Sequence, residues 1–252
     1  MQLKEIYDFL DSISPFELQE KWDNSGLNVG LFESEIKKVY LSLDIDNELL
    51  ELVEPNSLII THHPLIFGGL SSLDFSKYPA NLIQTMIKKE ISHIAMHTNF
   101  DKTHLNRYVF EEILGFNVQN SGDYICRTSG DWRKDELINI IKNRLGVSHI
   151  KVVNPKDNIK SVALTTGSGA SMIDEAGVDC YLTGDIKYHD AIKANAQNIM
   201  MIDIGHYESE RFFADVLYRH LEVLPILAII SNSKNPFTYS GVYRDALDEN
   251  IK

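Results

Sequence analysis

The chain has 252 residues, of which 44% are hydrophobic and 24% charged, with a formal net charge of −12. That composition fits one large or two modest globular domains, and an acidic chain without a Lys/Arg run carries no footprint for nucleic acid, which is not expected as a partner. The only two cysteines, Cys126 and Cys180, form no CxxC pair and exclude a disulfide framework or thiolate zinc site, and the lack of a leader-like start or a bilayer-length apolar run predicts a cytoplasmic protein with no membrane partner.

Leu3, Ile6, Tyr7 and Leu10 recur at helical spacing and predict an opening helix. Pro15 suits the first turn of a second helix carrying Phe16, Leu18 and Trp22, and 22–30 reads as a loop. Strands are predicted at 39–44 and 57–61 around a short helix at 47–53. A helix at 81–89, a strand at 91–97 and a helix at 104–114 follow. Strand–helix alternation of this kind implies a mainly parallel sheet with helices on its faces. Further strands are predicted at 124–128, 150–153, 161–166, 178–183 and 199–203, with helices at 134–145 and 188–196. The chain then reads as a helix at 208–220 and a strand at 224–230. Polar turn segments at 116–123 and 154–158 interrupt this pattern, and a soft domain boundary is placed at the first.

Three segments end such strands in potential metal ligands: Thr61-His62-His63-Pro64, His97-Thr98-Asn99-Phe100-Asp101 and Gly205-His206-Tyr207-Glu208-Ser209-Glu210. They hold four of the nine histidines. Each has a plain alternative. Successive strand side chains face opposite ways, so His62 and His63 serve one site only if the strand ends there, as Pro64 suggests. Asp101 could simply cap the next helix. His206 and Glu210 share a helix face by spacing, and the pair could be a surface pair in a first turn. In combination the segments say more, because ligands in open α/β sheets bind beyond the carboxyl ends of strands. His62, His63, Asp101, His206 and Glu210 exceed the needs of one tetrahedral ion and suit two divalent ions about 3.5–4 Å apart. Mixed imidazole and carboxylate ligation fits Zn, Mn, Fe or Co.

Two further stretches follow predicted strands. Gly167-Ser168-Gly169 is a strand-to-helix turn able to hold an anion on backbone amides, or a plain tight turn. The run 184–189 offers Asp185 and His189 for substrate contact or proton transfer, or helix capping with a solvated Lys187.

Taken in order, Trp22-Asp23-Asn24-Ser25-Gly26-Leu27, the three ligand segments, Gly167-Ser168-Gly169 and Gly184-Asp185-Ile186-Lys187 make the whole chain similar to the GTP cyclohydrolase 1 type 2 homologue family, the NIF-three-like dinuclear-metal proteins. The resemblance implies an α/β fold of two related three-layer α/β/α lobes with metals in the cleft between them. Residues 1–122 with 205–252 would form the first lobe and 123–204 the second. It implies two divalent ions on His62, His63, Asp101, His206 and Glu210, with Glu210 bridging, and a homohexamer. It implies a nucleotide substrate, with hydrolytic opening of the GTP imidazole ring and formate release to dihydroneopterin triphosphate. His97 and His189 would then move protons, and Gly167, Gly169 and Lys187 would hold the triphosphate. One departure is Tyr188-His189, where the family often has two histidines. A metal-dependent phosphoesterase and a non-catalytic metal carrier or adaptor are the alternatives.

Overall fold

The computed structural model describes residues 1–231 and 233–238; residues 232 and 239–252, assigned above to the first lobe, lie outside the described residues. Its frame is two sheets. The first contains β1 (Gly26–Val29), β2 (Lys38–Ser42), β3 (Leu58–Thr61), β4 (Ser92–Ala95) and β11 (Leu227–Ile230), in the order β1-β4-β3-β2-β11. The second contains β5 (Asn120–Ser121), β6 (Cys126–Arg133), β7 (Lys151–Val153), β8 (Asn158–Leu164), β9 (Cys180–Thr183) and β10 (Met200–Asp203), in the order β5-β6-β8-β9-β10-β7.

The sheets share one topology. β2, β3 and β4 are parallel, and the preceding strand β1 pairs antiparallel with the far edge of that trio. β8, β9 and β10 are likewise parallel, and the preceding β7 pairs antiparallel with β10. Each set follows a long helix, Leu3–Ile13 in one case and Lys134–Leu145 in the other. The first buries Leu3, Ile6 and Leu10, and the second Leu137, Ile141 and Leu145, both at helical spacing. The lobes are therefore related, as the resemblance implies.

Strand alternation divides the core into layers. Leu58 and Ile60 of β3 join the largest cluster, which also takes Phe100, Phe213, Ile141 and the second sheet's Leu164, Leu182 and Ile202. Ile59 points the other way, against Leu49, Leu50, Leu82, Ile83 and Met86 of the helices Asn47–Leu52 and Ala80–Lys88. On the far side of the second sheet, Ala163, Tyr181 and Met201 meet Ile173, Ala176 and Ala194. Each sheet thus has helices on both faces, and the inner helices are shared by a core common to both lobes.

Several elements differ from the sequence expectation. The segment 22–30 is not all loop, because Gly26–Val29 forms the edge strand β1. Phe16–Leu18 makes only a 3-10 turn, and Trp22 lies outside it, exposed. The helix expected from residue 104 begins at Thr98, and Asp101 lies inside it with φ −57° and ψ −49° rather than capping it. Its Asp101–Leu105 and Val109–Ile113 turns are π-helical, a form that often marks functional positions. The helix expected at 208–220 is two pieces, His206–Glu210 and Phe213–Leu221. β6 runs on to Arg133 across an irregularity between Ser129 and Trp132. The short β5 falls in the expected turn 116–123, and the last strand is only Leu227–Ile230.

Candidate metal centre

The carboxyl ends of β3, β4 and β10 converge where the lobes meet. β3 stops at Thr61, and a small network bends the chain there. Thr61 Oγ1 donates to the His63 carbonyl at 2.6 Å and accepts from His93 Nε2 at 2.7 Å. Burial depresses the His93 imidazole to about 3, so it stays neutral and structural. His63 N–H donates to the Leu43 carbonyl at 3.2 Å, completing the bend. Both histidines then face one centre instead of opposite sides of a strand.

Around that centre, His62 Nε2 lies 3.6 Å from Asp101 Oδ1 and 3.7 Å from Glu210 Oε1. On the other side, His63 Nε2 and His206 Nε2 lie 3.0 and 2.9 Å from Glu210 Oε2. Two groups of ligand atoms result, each lying within 4.8 Å of one another: His62, Asp101 and Glu210, and His63, His206 and Glu210. Glu210 belongs to both. A third group, His62, His63 and His97, brings in the imidazole expected to move protons.

Every imidazole in the cluster is held from behind. His62 Nδ1 donates to the Met96 carbonyl at 2.9 Å, His63 Nδ1 to Asp44 at 2.9 Å, His206 Nδ1 to Asp185 at 2.7 Å and His97 Nδ1 to Asp23 at 2.8 Å. Such partners fix the tautomer and aim Nε2 inward, the arrangement typical of metal-ligating histidines. Asp185 does this from a left-handed backbone, φ 52°, which Asp tolerates better than most residues.

Charge is divided unevenly in the metal-free cluster. Burial, partly offset by His62 and reinforced by Glu210, pushes the Asp101 carboxyl up to about 7. Burial also opposes ionisation of Glu210, but His63 and His62 overcome it and hold the carboxyl well below its usual range. For His206, burial disfavours the proton, yet Glu210 and Asp185 raise the imidazole to about 9. His63 is raised in the same way by Glu210 and Asp44 against burial. Protons on imidazoles thus balance Glu210 where cations could.

Divalent cations fit these residues better than protons do. His62 Nε2 is buried without a hydrogen bond, 3.6 Å from Asp101 and 3.7 Å from Glu210. Buried polar atoms left unpaired are costly. Converging imidazole nitrogens and carboxylate oxygens, each imidazole held from behind by an outer partner, are the donor set of a transition-metal site.

The remaining expected site residues are placed differently. Gly167 donates its amide to Ser209 Oγ at 3.0 Å, and Gly169 to Thr183 Oγ1 at 2.8 Å, so neither amide is left for a phosphate. Gly167 instead makes room. At φ +62°, a Cβ built there would lie 2.0 Å from Glu210 Oε1. Gly167→Ala is therefore expected to displace Glu210, lowering the melting temperature and the bound metal together. Melting curves and metal analysis check this, and unchanged metal content would contradict it. Lys187 and His189 are exposed and do not line the cleft.

Asp44, Asp23 and Asp185 as backing residues were not foreseen from sequence, although Asp44 and Asp185 stand just beyond the ends of β2 and β9. Asp185→Asn is expected to weaken metal binding roughly 10–100-fold while leaving the fold intact, since the side chain is half exposed. Competition with a chelating dye measures this; an unchanged affinity would show that Asp185 does not orient His206.

A cleft of about 740 Å³ opens from this centre between the lobes, lined by His63, His97, Asp101, His206 and Glu210 at one end. A family model described as Duf34/NIF3 (NGG1p interacting factor 3) matches residues 1–236. The chain belongs to the Duf34/NIF3 family. Relatives of this Duf34/NIF3 protein include a Campylobacter jejuni protein named GTP cyclohydrolase 1 type 2 homolog, 48% identical over 240 residues, covering 95% of this chain and 100% of the relative. Helicobacter pylori GTP cyclohydrolase 1 type 2 is 43% identical over 236 residues, covering 93% and 97%. Among solved structures, a Staphylococcus aureus protein described as hypothetical superposes with a TM-score of 0.82 at 26% identity, covering 95% of this chain and 99% of its own. Reduced HcgD from Methanocaldococcus jannaschii does so with 0.78 at 26%, covering 91% and 97%. Among the described residues of this Duf34/NIF3 chain, no helix is long and apolar enough to cross a membrane.

Proposed function

We propose that this protein is a dinuclear-metal hydrolase acting on a nucleotide, with GTP cyclohydrolase chemistry as the leading reaction. The observation that carries the metal reading is Glu210, whose two oxygens serve two separate ligand groups. The names of the relatives support the substrate. His62, Asp101 and Glu210 would hold one divalent ion, and His63, His206 and Glu210 the other. Ions bound there would supply Lewis acidity toward water and substrate.

The chain's own residues do the rest. Asp23 accepts from His97 Nδ1, Thr98 N–H and Thr98 Oγ1. These bonds hold its carboxyl well below the usual range although burial pushes the other way. An ionised Asp23 fixes the His97 ring with Nε2 free, the posture of a general base or acid. The cleft walls bind substrate and exclude water. A cytoplasmic location, a homohexamer and a division into lobes at 1–122 with 205–252 and 123–204 belong to the same proposal.

The test is GTP turnover by metal-loaded protein, following formate and the pterin product. Metal-dependent formate release that stops on chelation and returns on reloading supports the reading. Absence of formate across Zn, Mn, Fe and Co would sink the cyclohydrolase assignment. Phosphate release in its place would favour a phosphoesterase.

A further inference from the structure

Beside the metal-ligand cluster, the cleft carries two large aromatic side chains that packing does not explain. Trp22 and Phe67 are each 57% exposed, yet both line the cleft. Their ring centroids are 5.8 Å apart, and those of Trp22 and Phe67 lie 5.9 and 6.2 Å from His97. His97 in turn is 5.1 Å from His62 and 5.5 Å from His63. An aromatic wall therefore runs from the mouth of the cleft to the edge of the ligand cluster.

The wall is built in advance. Asn24 Nδ2 donates to the Ile66 carbonyl at 2.7 Å, and Ile66 N–H donates to Asn28 Oδ1 at 3.3 Å. These bonds tie the loop bearing Phe67 to the loop bearing Trp22. Next to Trp22, Asp23 anchors His97 and Thr98. Exposed rings fixed by part-buried hydrogen bonds lower the ordering cost of a ligand that stacks on them.

The rest of the cleft does not resemble a phosphate grip. Among the described residues, Arg127 is the one Lys or Arg in its lining. Its guanidinium already donates to the carbonyls of Ala176, Ile125 and Glu175. Away from the metal ligands, Glu20, Asp123 and Glu175 line the same space. Lys102 already pairs with Glu20 at 2.9 Å and with Asp123 at 3.9 Å, so among the described residues no Lys or Arg beside this part of the cleft is left uncommitted for a polyphosphate.

We propose that Trp22 and Phe67 form the ring-binding subsite of this cleft, stacking a planar purine-type heterocycle against the metal-ligand cluster, and that the ring rather than the phosphate chain supplies most of the binding in the metal-free protein. This deepens the nucleotide reading above and rests on it. The stack places ring atoms beside His97 and the two ligand groups, where hydrolytic chemistry on the heterocycle would have to occur.

The experiment uses metal-free protein carrying Trp132→Phe, which leaves Trp22 as the remaining tryptophan of the two. Guanosine, GTP and tripolyphosphate are the probes, and calorimetric titration of the unaltered protein repeats the measurement in case the variant folds poorly. Guanosine is expected to quench Trp22 saturably and bind nearly as tightly as GTP, while tripolyphosphate does neither. Phe67→Leu is expected to weaken guanosine roughly 3–10-fold, with recovery in Phe67→Tyr. No saturable guanosine binding, tripolyphosphate binding as tight as guanosine, or an unaffected Phe67→Leu would overturn the subsite. Guanosine binding without GTP turnover by the metal-loaded protein would support the subsite and sink only the cyclohydrolase reading. Turnover with an unchanged KM in Phe67→Leu would sink the subsite alone.

Discussion

Glu210→Gln is expected to reduce bound metal from about two ions per chain to one or fewer, and to lower metal-dependent turnover by more than the roughly 10–100-fold typical of losing an outer-sphere partner. The argument rests on the two oxygens. Oε1 faces His62, with Asp101 in the same ligand group, and Oε2 faces His63 and His206. Glutamine keeps the volume, so the surrounding core is not opened. However its amide turns, one group then faces N–H hydrogens where it had an oxygen lone pair, and the ligand charge is gone for both. Metal analysis after gel filtration, alongside a melting curve in chelator, separates ligand loss from unfolding. Two tightly bound ions in a folded Glu210→Gln protein would remove Glu210 from its bridging place and the proposed mechanism with it. Loss of a single ion would leave the other on either His62 and Asp101 or His63 and His206, completed by the amide oxygen of the substituted side chain. A second substitution at Asp101 or His206 would say which.

How much of this could be read from sequence follows from which interactions are local. β2, β3, β4 and the repeat β8, β9, β10 were legible because buried parallel strands are continuous apolar runs, as in Leu58–Thr61 and Cys180–Thr183. The five candidate positions were legible because strand ends concentrate ligands, and the structure gathers His62, His63, Asp101, His206 and Glu210 into groups that could hold a metal ion. β1 was not legible. Gly26–Val29 is a half-buried edge strand whose order comes from pairing with β4, a partner too far along the chain for any local window to read. For Asp101 the local alternative, a helix cap, fails because the π-turn that holds it is set by tertiary packing of Phe100 and Leu105. Gly167-Ser168-Gly169 looked like an anion cradle because glycine marks special backbone. The amides are taken by Ser209 and Thr183, partners 42 and 14 residues away, and the glycine is needed for the space beside Glu210. The aromatic wall was hidden for a similar reason, since Trp22 and Phe67 meet only after Asn24 and Asn28 clamp Ile66.

The stabilisation given by metal is expected to grow as pH rises from about 5.5 to 8.5, because metals and protons compete for the same atoms. The sign follows from the folded-state shifts. His206 is raised from 6.5 to about 9, so its contribution is fully present below the unfolded value and is lost as pH climbs through 9. Asp101 is raised from 3.8 to about 7, so the folded chain again binds the extra proton, and that stability is lost as pH climbs through 7. Glu210, held below its usual range, acts oppositely and costs stability only as pH falls below the ordinary carboxylate region. The metal-free protein should therefore be most stable on the acid side of neutrality and weaken toward pH 8.5. Metal-loaded protein has no such protons to lose. Below a ligand's folded pKa, each proton displaced tightens apparent binding about tenfold per pH unit, or about 1.4 kcal/mol. For a chain of this size that widens the gap in melting temperature between loaded and chelated protein by roughly 3–6 °C per pH unit for each proton. Paired melts across the pH series read the gap directly, and calorimetry in buffers of different ionisation enthalpy counts the protons released. A gap that stays constant or narrows with rising pH would mean that metal does not bind at the protonated imidazoles and Asp101. In Glu210→Gln, His63 and His206 each lose one of the two carboxylates that raise them, Asp44 and Asp185 remaining, so the pH slope of the metal-free melts should become shallower together with the loss of metal, linking both measurements to one carboxylate.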